Sequence, residues 1–184
     1  MTIYCTKQTI ERYGLTGITT PIKETENPLM EWGTKIFYFN GKKCLQLCNF
    51  ASKLTLLLFD VRKNKIGNIR STMEHHLVEL YKHDPEMLSV LVRMLASDNG
   101  LLFAPLKDKR VIATLNALQS RLEFDDNRLL RRINLHPDPE LEAGRWANFD
   151  FIVTDKIDGK TQYIFPARRF RELVLASSTC PREG

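Results

Sequence analysis

The sequence predicts an α+β protein in which an antiparallel β-meander and a separate β-hairpin pack against several α-helices. Short apolar runs separated by turn residues, between residues 34 and 70, are typical of strands. Elsewhere apolar residues recur at three- and four-residue steps, which indicates amphipathic helices. The 184 residues, 43% hydrophobic and 27% charged, are enough for one buried core. We therefore expect a single domain over residues 1–184, with residues 134–148 as the candidate internal boundary.

Residues 34–70 carry the strongest local signal. Asn40-Gly41 separates two apolar runs, and it favours a tight hairpin because both central positions of a type I′ turn require positive φ. Trp32 introduces the first strand. The expected strands of the meander cover residues 36–39, 45–48 and 54–59.

The chain before the meander is predicted to begin with a strand at Thr2–Cys5. A short helix should follow over residues 6–13, because Gly14 suits the left-handed conformation that ends a helix. Residues 17–28 are polar and contain two prolines, so we expect a surface loop there.

Helices and one strand are expected after the meander. Ser71 or Thr72 can cap the first helix, with Glu74 in its first turn. Pro85 closes that helix and begins a second one over residues 85–96. Asp98-Asn99-Gly100 ends the second helix. A strand over residues 101–106 completes this part of the chain.

The last third of the sequence predicts more helices and a second hairpin. Asp108 can cap a helix whose apolar stripe runs from Val111 to Leu122. A further helical turn is expected at residues 124–133, and the prolines at residues 136–139 predict a loop. The remaining predicted elements are a hairpin of residues 149–154 and 162–165 around Asp158-Gly159, a helix over residues 167–176 and a frayed tail over residues 177–184.

Positive charge is concentrated in the meander. Residues 36–70 hold seven basic side chains against Asp60 alone, a net charge of +6 compared with +5 for the whole chain. A clustered basic surface is the electrostatic footprint of a polyanion partner. Lysines in turns also protect exposed strands from aggregation, and arginines in the last helix can be its solvated face. The candidate nucleic-acid-binding residues are Lys42, Lys43, Lys53, Arg62, Lys63, Lys65, Arg168 and Arg169.

Motifs for common catalytic chemistries are missing, so the sequence identifies no catalytic residue and predicts no cofactor. A Gly-rich phosphate loop and a Gly-x-Ser-x-Gly motif are both absent from the sequence. His75, Glu79 and His83 follow at four-residue steps and could share a helix face as zinc ligands. Asp150 with Asp158-Gly159-Lys160 loosely matches the acidic pattern of some metal-dependent nucleases. A solvated helix face and a hairpin turn are the favoured interpretations, so no metal site is predicted.

The cysteines and the apolar runs bear on the cellular setting. Cys44 and Cys48 should lie roughly 13 Å apart on one strand face, too far for a disulfide, and we expect core-filling thiols. The longest apolar run is too short to span a bilayer, and residues 1–7 lack the features of a secretory signal. We therefore expect a cytosolic location without membrane contact.

Several short segments give the chain a family resemblance. They are Tyr4-Cys5-Thr6-Lys7, Asn49-Phe50-Ala51-Ser52-Lys53-Leu54-Thr55, Asp108-Lys109-Arg110-Val111 with Leu115-Asn116, and Tyr163-Ile164-Phe165-Pro166-Ala167-Arg168-Arg169-Phe170. In these segments the chain resembles an uncharacterised bacterial family, a domain of unknown function found alone or within larger proteins of bacteria and mobile elements. The resemblance implies no established activity and assigns no catalytic residue.

These segments place polar residues at strand ends and helix starts, where proteins tend to present binding groups. The candidate polar site consists of Lys7, Asn49, Asp108, Arg110 and Asn116. For Asn49 the alternative is a turn side chain that satisfies its own backbone. For Asp108 the alternative is a helix N-cap.

Three functions remain open from the sequence. The leading hypothesis is non-enzymatic binding of RNA or DNA through the basic residues of the meander, which contact phosphates without reading sequence. The second is a small nuclease or toxin-type ribonuclease that uses Lys7, His75, Asp108 and Arg110. The third is a protein of a mobile element or defence system that recruits a protein partner along an exposed strand. The oligomeric state is not predicted.

Overall fold

A mixed five-stranded sheet carries the framework of the chain. The computed structural model describes residues 1–15, 27–39, 41–97, 100–124 and 127–179. In spatial order the strands are β4 (Thr55–Phe59), β3 (Lys42–Asn49), β2 (Glu31–Phe39), β1 (Thr2–Cys5) and β5 (Leu102–Pro105). Predictions that fall on residues 17–26, Asn40, Asp98-Asn99 and residues 180–184 lie outside the described residues.

The predicted meander is confirmed, and the α+β class with it. β2 pairs antiparallel with β3, and β3 pairs antiparallel with β4. β1 instead pairs parallel with both β2 and β5, so the sheet is mixed. The parallel pairs were not predicted, because they join segments far apart in the chain and no turn sequence announces them.

Seven α-helices and a two-stranded sheet surround this framework in the described residues. The short sheet consists of β6 (Val153–Ile157) and β7 (Lys160–Ile164). Its turn confirms the Asp158-Gly159 prediction, since both residues have positive φ. The helices are α1 (Lys7–Tyr13), α2 (Ile69–Leu80), α3 (Pro85–Ser97), α4 (Lys109–Phe124), α5 (Asn127–Leu135), α6 (Pro139–Arg145) and α7 (Pro166–Thr179).

Apolar side chains cover both faces of the large sheet. On one face Trp32, Ile36 and Leu47 belong to a core cluster with residues of α2, α3 and α7. On the other face Phe37 and Leu57 pack in a second cluster with residues of α4 and with Ala143, Trp146 and Ala147. This arrangement follows from the period-two alternation of the strands, which sends successive side chains to opposite faces.

Gly33 of β2 allows α4 to approach the sheet closely. A Cβ atom at this position would lie only 2.4 Å from Cγ1 of Val111, which is fully buried on α4. Val111 is β-branched and cannot easily turn aside. Position 33 therefore requires a glycine, because α4 lies too close to the sheet to leave room for a Cβ atom.

Side chains from a later segment cover the free edge of β4. The Thr55 N–H donates to Asn148 Oδ1 (2.7 Å), and Asn148 Nδ2 donates back to the Thr55 carbonyl (2.6 Å). Four residues along β4, the Phe59 N–H donates to Glu140 Oε1 (2.6 Å). Asn148 thus makes the pair of hydrogen bonds that a neighbouring strand would make. The covered edge is not open to strand addition at these two residues.

Both ends of α2 and two boundaries near the C-terminal end differ from the predictions. Helix α2 begins at Ile69, so Ser71 and Thr72 lie inside it, and the Thr72 hydroxyl donates to the Asn68 carbonyl one turn earlier. α2 also ends at Leu80, which leaves His83 outside the helix that was to align it with His75 and Glu79.

The other two differences lie near the C-terminal end. The strand predicted at residues 149–154 begins only at Val153, and a π-helical turn at Trp146–Asp150 precedes it and holds Asn148 against the edge of β4. Residues 177–179, predicted to fray, extend α7, and the Ser177 hydroxyl donates to the Val174 carbonyl within the helix.

A contact between His76 and Glu140 joins α2 to the cover of the β4 edge. His76 is 5% exposed, its Nδ1 lies 2.8 Å from the Thr72 carbonyl, and its Nε2 lies 3.3 Å from Glu140 Oε2. Burial alone would lower the pKa of His76. The hydrogen bonds and the charge of Glu140 outweigh burial, so the pKa lies above its usual value. Because both ring nitrogens face oxygen acceptors, the imidazolium fits this position better than the neutral ring.

The His76 contact should make stability depend on pH. A pKa raised by folding adds stability that is fully present below the unfolded pKa of about 6.5 and is lost as the pH rises through the folded value. We expect His76→Gln to lower the free energy of unfolding by about 1 kcal/mol at pH values below the unfolded pKa of about 6.5. The difference from the wild type should shrink toward alkaline pH in urea titrations. A difference that grows with pH would contradict the assignment.

Candidate functional site

Basic side chains from three separate segments meet at one end of the large sheet. They come from the last turn of α1, from the start of β3 and from the chain that leaves β4. We call this surface the basic rim. Its members are Arg12, Lys42, Lys43, Arg62, Lys63 and Lys65.

Tyr13 holds these segments together. Lys43 Nζ lies 5.5 Å from the centre of the Tyr13 ring, and the Tyr13 hydroxyl donates to the Val61 carbonyl (3.1 Å). Burial raises the pKa of Tyr13 to about 12, so the hydroxyl keeps its proton. Gly14 follows at φ +67°, and Lys63 Nζ lies 2.8 Å from where a Cβ of this residue would stand. The predicted glycine stop after α1 is therefore confirmed, and it also leaves room for a cation.

The basic rim faces solvent. Five of its six side chains are exposed, and Lys43, whose ammonium lies over Tyr13, is half-buried. Within the described part of the chain, none of the six forms an ion pair with a carboxylate. Arg12 was not among the predicted residues, although its position in the last turn of a short helix was visible in the sequence. The charges of this surface are thus available to a partner.

Lys53 lies elsewhere, in the interior. It is 3% exposed, and its backbone is left-handed with φ 63°. Its Nζ donates to the Phe50 carbonyl (2.6 Å) and lies 3.5 Å from Asp155 Oδ2. The sequence placed Lys53 with the surface lysines because nothing local shows that a carboxylate from β6 reaches it.

Arg168 and Arg169 lie toward the opposite end of the sheet from the basic rim. They belong to α7, whose Phe170 ring lies 6.4 Å from the ring of Trp32. Trp32 and Phe39 are seven residues apart on β2, which is roughly 23 Å at the usual strand rise. Arg168 lies 5.7 Å from the Phe165 ring, and Arg169 Nη1 lies 3.6 Å from Glu172 Oε2. These two arginines therefore do not join the rim.

Asn49 of the candidate polar site organises a turn. It is fully buried, and Nδ2 donates to the carbonyls of Leu29 and Glu31. Oδ1 accepts hydrogen bonds from the backbone N–H and the hydroxyl of Ser52. All the hydrogen-bonding groups of this amide are thus used inside the protein, which supports the turn interpretation rather than a binding role.

Of the other four residues of the candidate polar site, Asp108 and Arg110 contact each other, and no described contact joins either of them to Lys7 or Asn116. Lys7 is exposed on α1 with Glu11 at 3.9 Å. Asn116 Oδ1 accepts a hydrogen bond from Lys35 (2.6 Å), whose pKa burial lowers. Asp108 caps α4. The separate positions explain why a shared site does not form.

Asp108 and Arg110 are tied to each other at the start of α4. Asp108 Oδ1 accepts hydrogen bonds from the N–H groups of Arg110 (2.7 Å) and Val111 (3.3 Å). Burial opposes ionisation of Asp108, but these bonds and the Arg110 guanidinium outweigh it, so its pKa lies below the usual value. The N-cap interpretation is confirmed by this geometry.

Arg110 reaches a cleft of about 670 Å³ between α4 and the β6–β7 hairpin. Apolar groups form most of its walls, with Ala113 and Ala117 on one side and Phe151 and Val153 on the other. Lys53 and Asp155 supply its least exposed charged groups. The cleft was not predicted, because it depends on where the hairpin lies against α4.

The cysteines are buried and unreactive in the described part of the chain. Cys5, Cys44 and Cys48 are free thiols inside the core. Burial raises the pKa of Cys5 and Cys48 to about 12 and that of Cys44 well above its usual value. Such thiols fill space rather than act as nucleophiles. Cys180 lies outside the described residues.

The chain matches the family described as "Domain of unknown function (DUF6933)" over residues 2–169. The match covers nearly the whole chain and includes the sheet, the basic rim and the cleft. The chain belongs to DUF6933. This confirms the resemblance to an uncharacterised domain family. No match was found among curated proteins.

The DUF6933 match assigns no activity to the chain. Three of the segments that suggested a family resemblance each contribute one residue to the lining of the cleft: Lys53, Arg110 and Tyr163. In the described residues, no helix is long and apolar enough to cross a bilayer.

Proposed function

We propose that this protein is a cytosolic bacterial protein that binds RNA or DNA through the basic rim and catalyses no reaction. The observation that supports the proposal is the meeting of cations from three chain segments at one end of the sheet. Such a surface binds the phosphates of a nucleic acid whatever the base sequence, because each phosphate contact releases counterions. The rim supplies positive charge, and none of its six residues is a buried side chain that could recognise a base. The binding should therefore be independent of the base sequence of the nucleic acid.

The salt dependence of binding tests this proposal. A fluorescein-labelled single-stranded RNA and a DNA duplex of equal length would be titrated with protein, and fluorescence anisotropy would be followed at increasing salt. The logarithm of affinity should fall linearly with the logarithm of salt, with a slope of about −0.9 per phosphate contacted on duplex DNA. Lys63→Gln combined with Lys65→Gln should make that slope shallower by about 2.

Lys107 and Lys109 provide a matched control. They are exposed, are also separated by one residue, and lie at the start of α4 away from the rim. Lys107→Gln combined with Lys109→Gln should leave the slope unchanged. Equal losses in both double variants would place the binding elsewhere, and no binding to either nucleic acid at low salt would refute the proposal.

Neither alternative function is favoured by a specific observation. His75 lies on α2 at one face of the sheet, whereas Asp108 and Arg110 lie at the start of α4, which packs on the other face. These residues therefore do not line one active site. Recruitment of a partner along β4 would first require displacement of Asn148.

A further inference from the structure

The cleft beside α4 contains a buried charge in a strained backbone. Lys53 has positive φ, which is unusual for a residue with a long side chain and costs of order 1 kcal/mol. The conformation is held from several sides, since the Lys53 N–H donates to the Asn49 carbonyl and Nζ donates to the Phe50 carbonyl. Strain that surrounding contacts maintain is found preferentially at binding sites.

The Lys53 ammonium is not fully used by these contacts. An ammonium group has three N–H donors. The Phe50 carbonyl takes one, and the Asp155 carboxylate, 3.5 Å away, can take a second. Because Lys53 also lines the cleft, a third donor remains for a group that enters it.

Charge in the lining favours an anion. Lys53, Arg110 and Lys156 contribute positive charge, and among the described lining residues Asp155 alone contributes a carboxylate. Lys156 is exposed and has no ion pair with any described residue. Arg110 has a side chain 66% exposed, and its only described ion pair, to Asp108, is long at 3.4 Å. The lining therefore contains two exposed cations and one buried cation, but a single carboxylate.

The walls and the size of the cleft favour a small molecule with an apolar body. The volume of about 670 Å³ lies within the range of about 300–1,000 Å³ that is usual for small-molecule sites. Ala113 and Ala117 leave the α4 wall smooth, and Phe151, Ile152 and Val153 add apolar groups to the lining. Such walls suit an aromatic or aliphatic group rather than a hydrated sugar or an extended polyanion.

We propose that this cleft binds a small amphipathic organic anion, with its apolar body between α4 and the β6–β7 hairpin and its acidic group near Lys53, Arg110 and Lys156. This site is separate from the basic rim and does not depend on nucleic-acid binding. Cleft and rim lie at different places on the fold, so each can be disabled alone.

The dye 8-anilinonaphthalene-1-sulfonate is a suitable probe, because it is an amphipathic aromatic anion whose fluorescence rises when it leaves water. We expect saturable binding of one dye molecule per folded chain. Ala113→Phe should fill the cleft and weaken dye binding about tenfold. Ala176→Phe, the same substitution at an exposed position of α7, should leave binding unchanged. Equal affinity in the wild type and in Ala113→Phe would overturn the proposal.

The preference for an anion needs its own comparison. Lys156→Glu should weaken binding of the dye about threefold but leave binding of its uncharged analogue, N-phenyl-1-naphthylamine, unchanged. Equal effects on both molecules would overturn the assignment of an anion. Lys53→Gln is the most direct variant, but it removes a buried contact. Thermal melts of every variant should therefore show whether it is folded. The Ala113 and Lys156 substitutions are at solvent-exposed positions, so their effects on dye binding test the proposal even if Lys53→Gln does not fold.

Discussion

Asn148→Ala will lower the free energy of unfolding by about 3 kcal/mol. The wild-type amide exchanges two hydrogen bonds with the backbone of Thr55 and donates a third to the Gly144 carbonyl (2.7 Å). All of these groups are buried, so truncation removes three hydrogen bonds and takes the Asn148 partner from both the N–H and the carbonyl of Thr55. Urea titration followed by circular dichroism measures the loss.

Two further measurements separate this effect from a general cost of removing an asparagine. Asn68→Ala alters an exposed residue whose side chain makes no capping hydrogen bond, and it should change stability by less than about 0.5 kcal/mol. Asn148→Ala should also aggregate more readily on heating, because the edge of β4 loses its cover. If both variants unfold at the same urea concentration, the covering role of Asn148 is refuted.

Gly33→Ala is expected to cost about 2 kcal/mol, because its new methyl group would overlap Cγ1 of Val111. Val111→Ala alone should cost a similar amount through the cavity that it leaves. In the double variant the new methyl group enters the space that the valine vacates. The double variant should therefore be more stable than the sum of the two single losses predicts, with a coupling of about 1–2 kcal/mol.

The measurement is a double-mutant cycle in urea with all four proteins. Strict additivity would show that α4 does not rest on Gly33. A matched check is Gly67→Ala, since a Cβ at that glycine meets open space and its φ is not positive. That substitution should be nearly neutral.

Local signals predicted the parts of the fold that depend on neighbouring residues. Asn40-Gly41 lies between strands that do pair, and Asp158-Gly159 forms the turn that its residue types require. Gly14 ends α1 for the same reason. At Gly14, Gly41 and Asp158-Gly159 the backbone conformation is decided within a few residues, so no tertiary information was needed.

The candidate site was harder to predict because it is made by distant contacts. A lysine in a basic segment is normally solvated, and Lys53 is buried because Asp155 on β6 lies beside it. In the sequence, Asn49 is a polar residue at a strand end, which is typical of a binding residue. In the structure its side-chain amide donates to the carbonyls of Leu29 and Glu31 instead. The basic rim was foreseeable in part, since its lysines lie at strand ends, whereas the contribution of Arg12 depends on how Tyr13 of α1 packs against Lys43 and the Val61 carbonyl.

The cover over β4 also constrains how the chain is synthesised. Asn148 lies 93 residues after Thr55, so the ribosome must translate that entire interval before the strand edge can be closed. A meander that forms before this point has an open edge at β4, which is a template for pairing with another polypeptide.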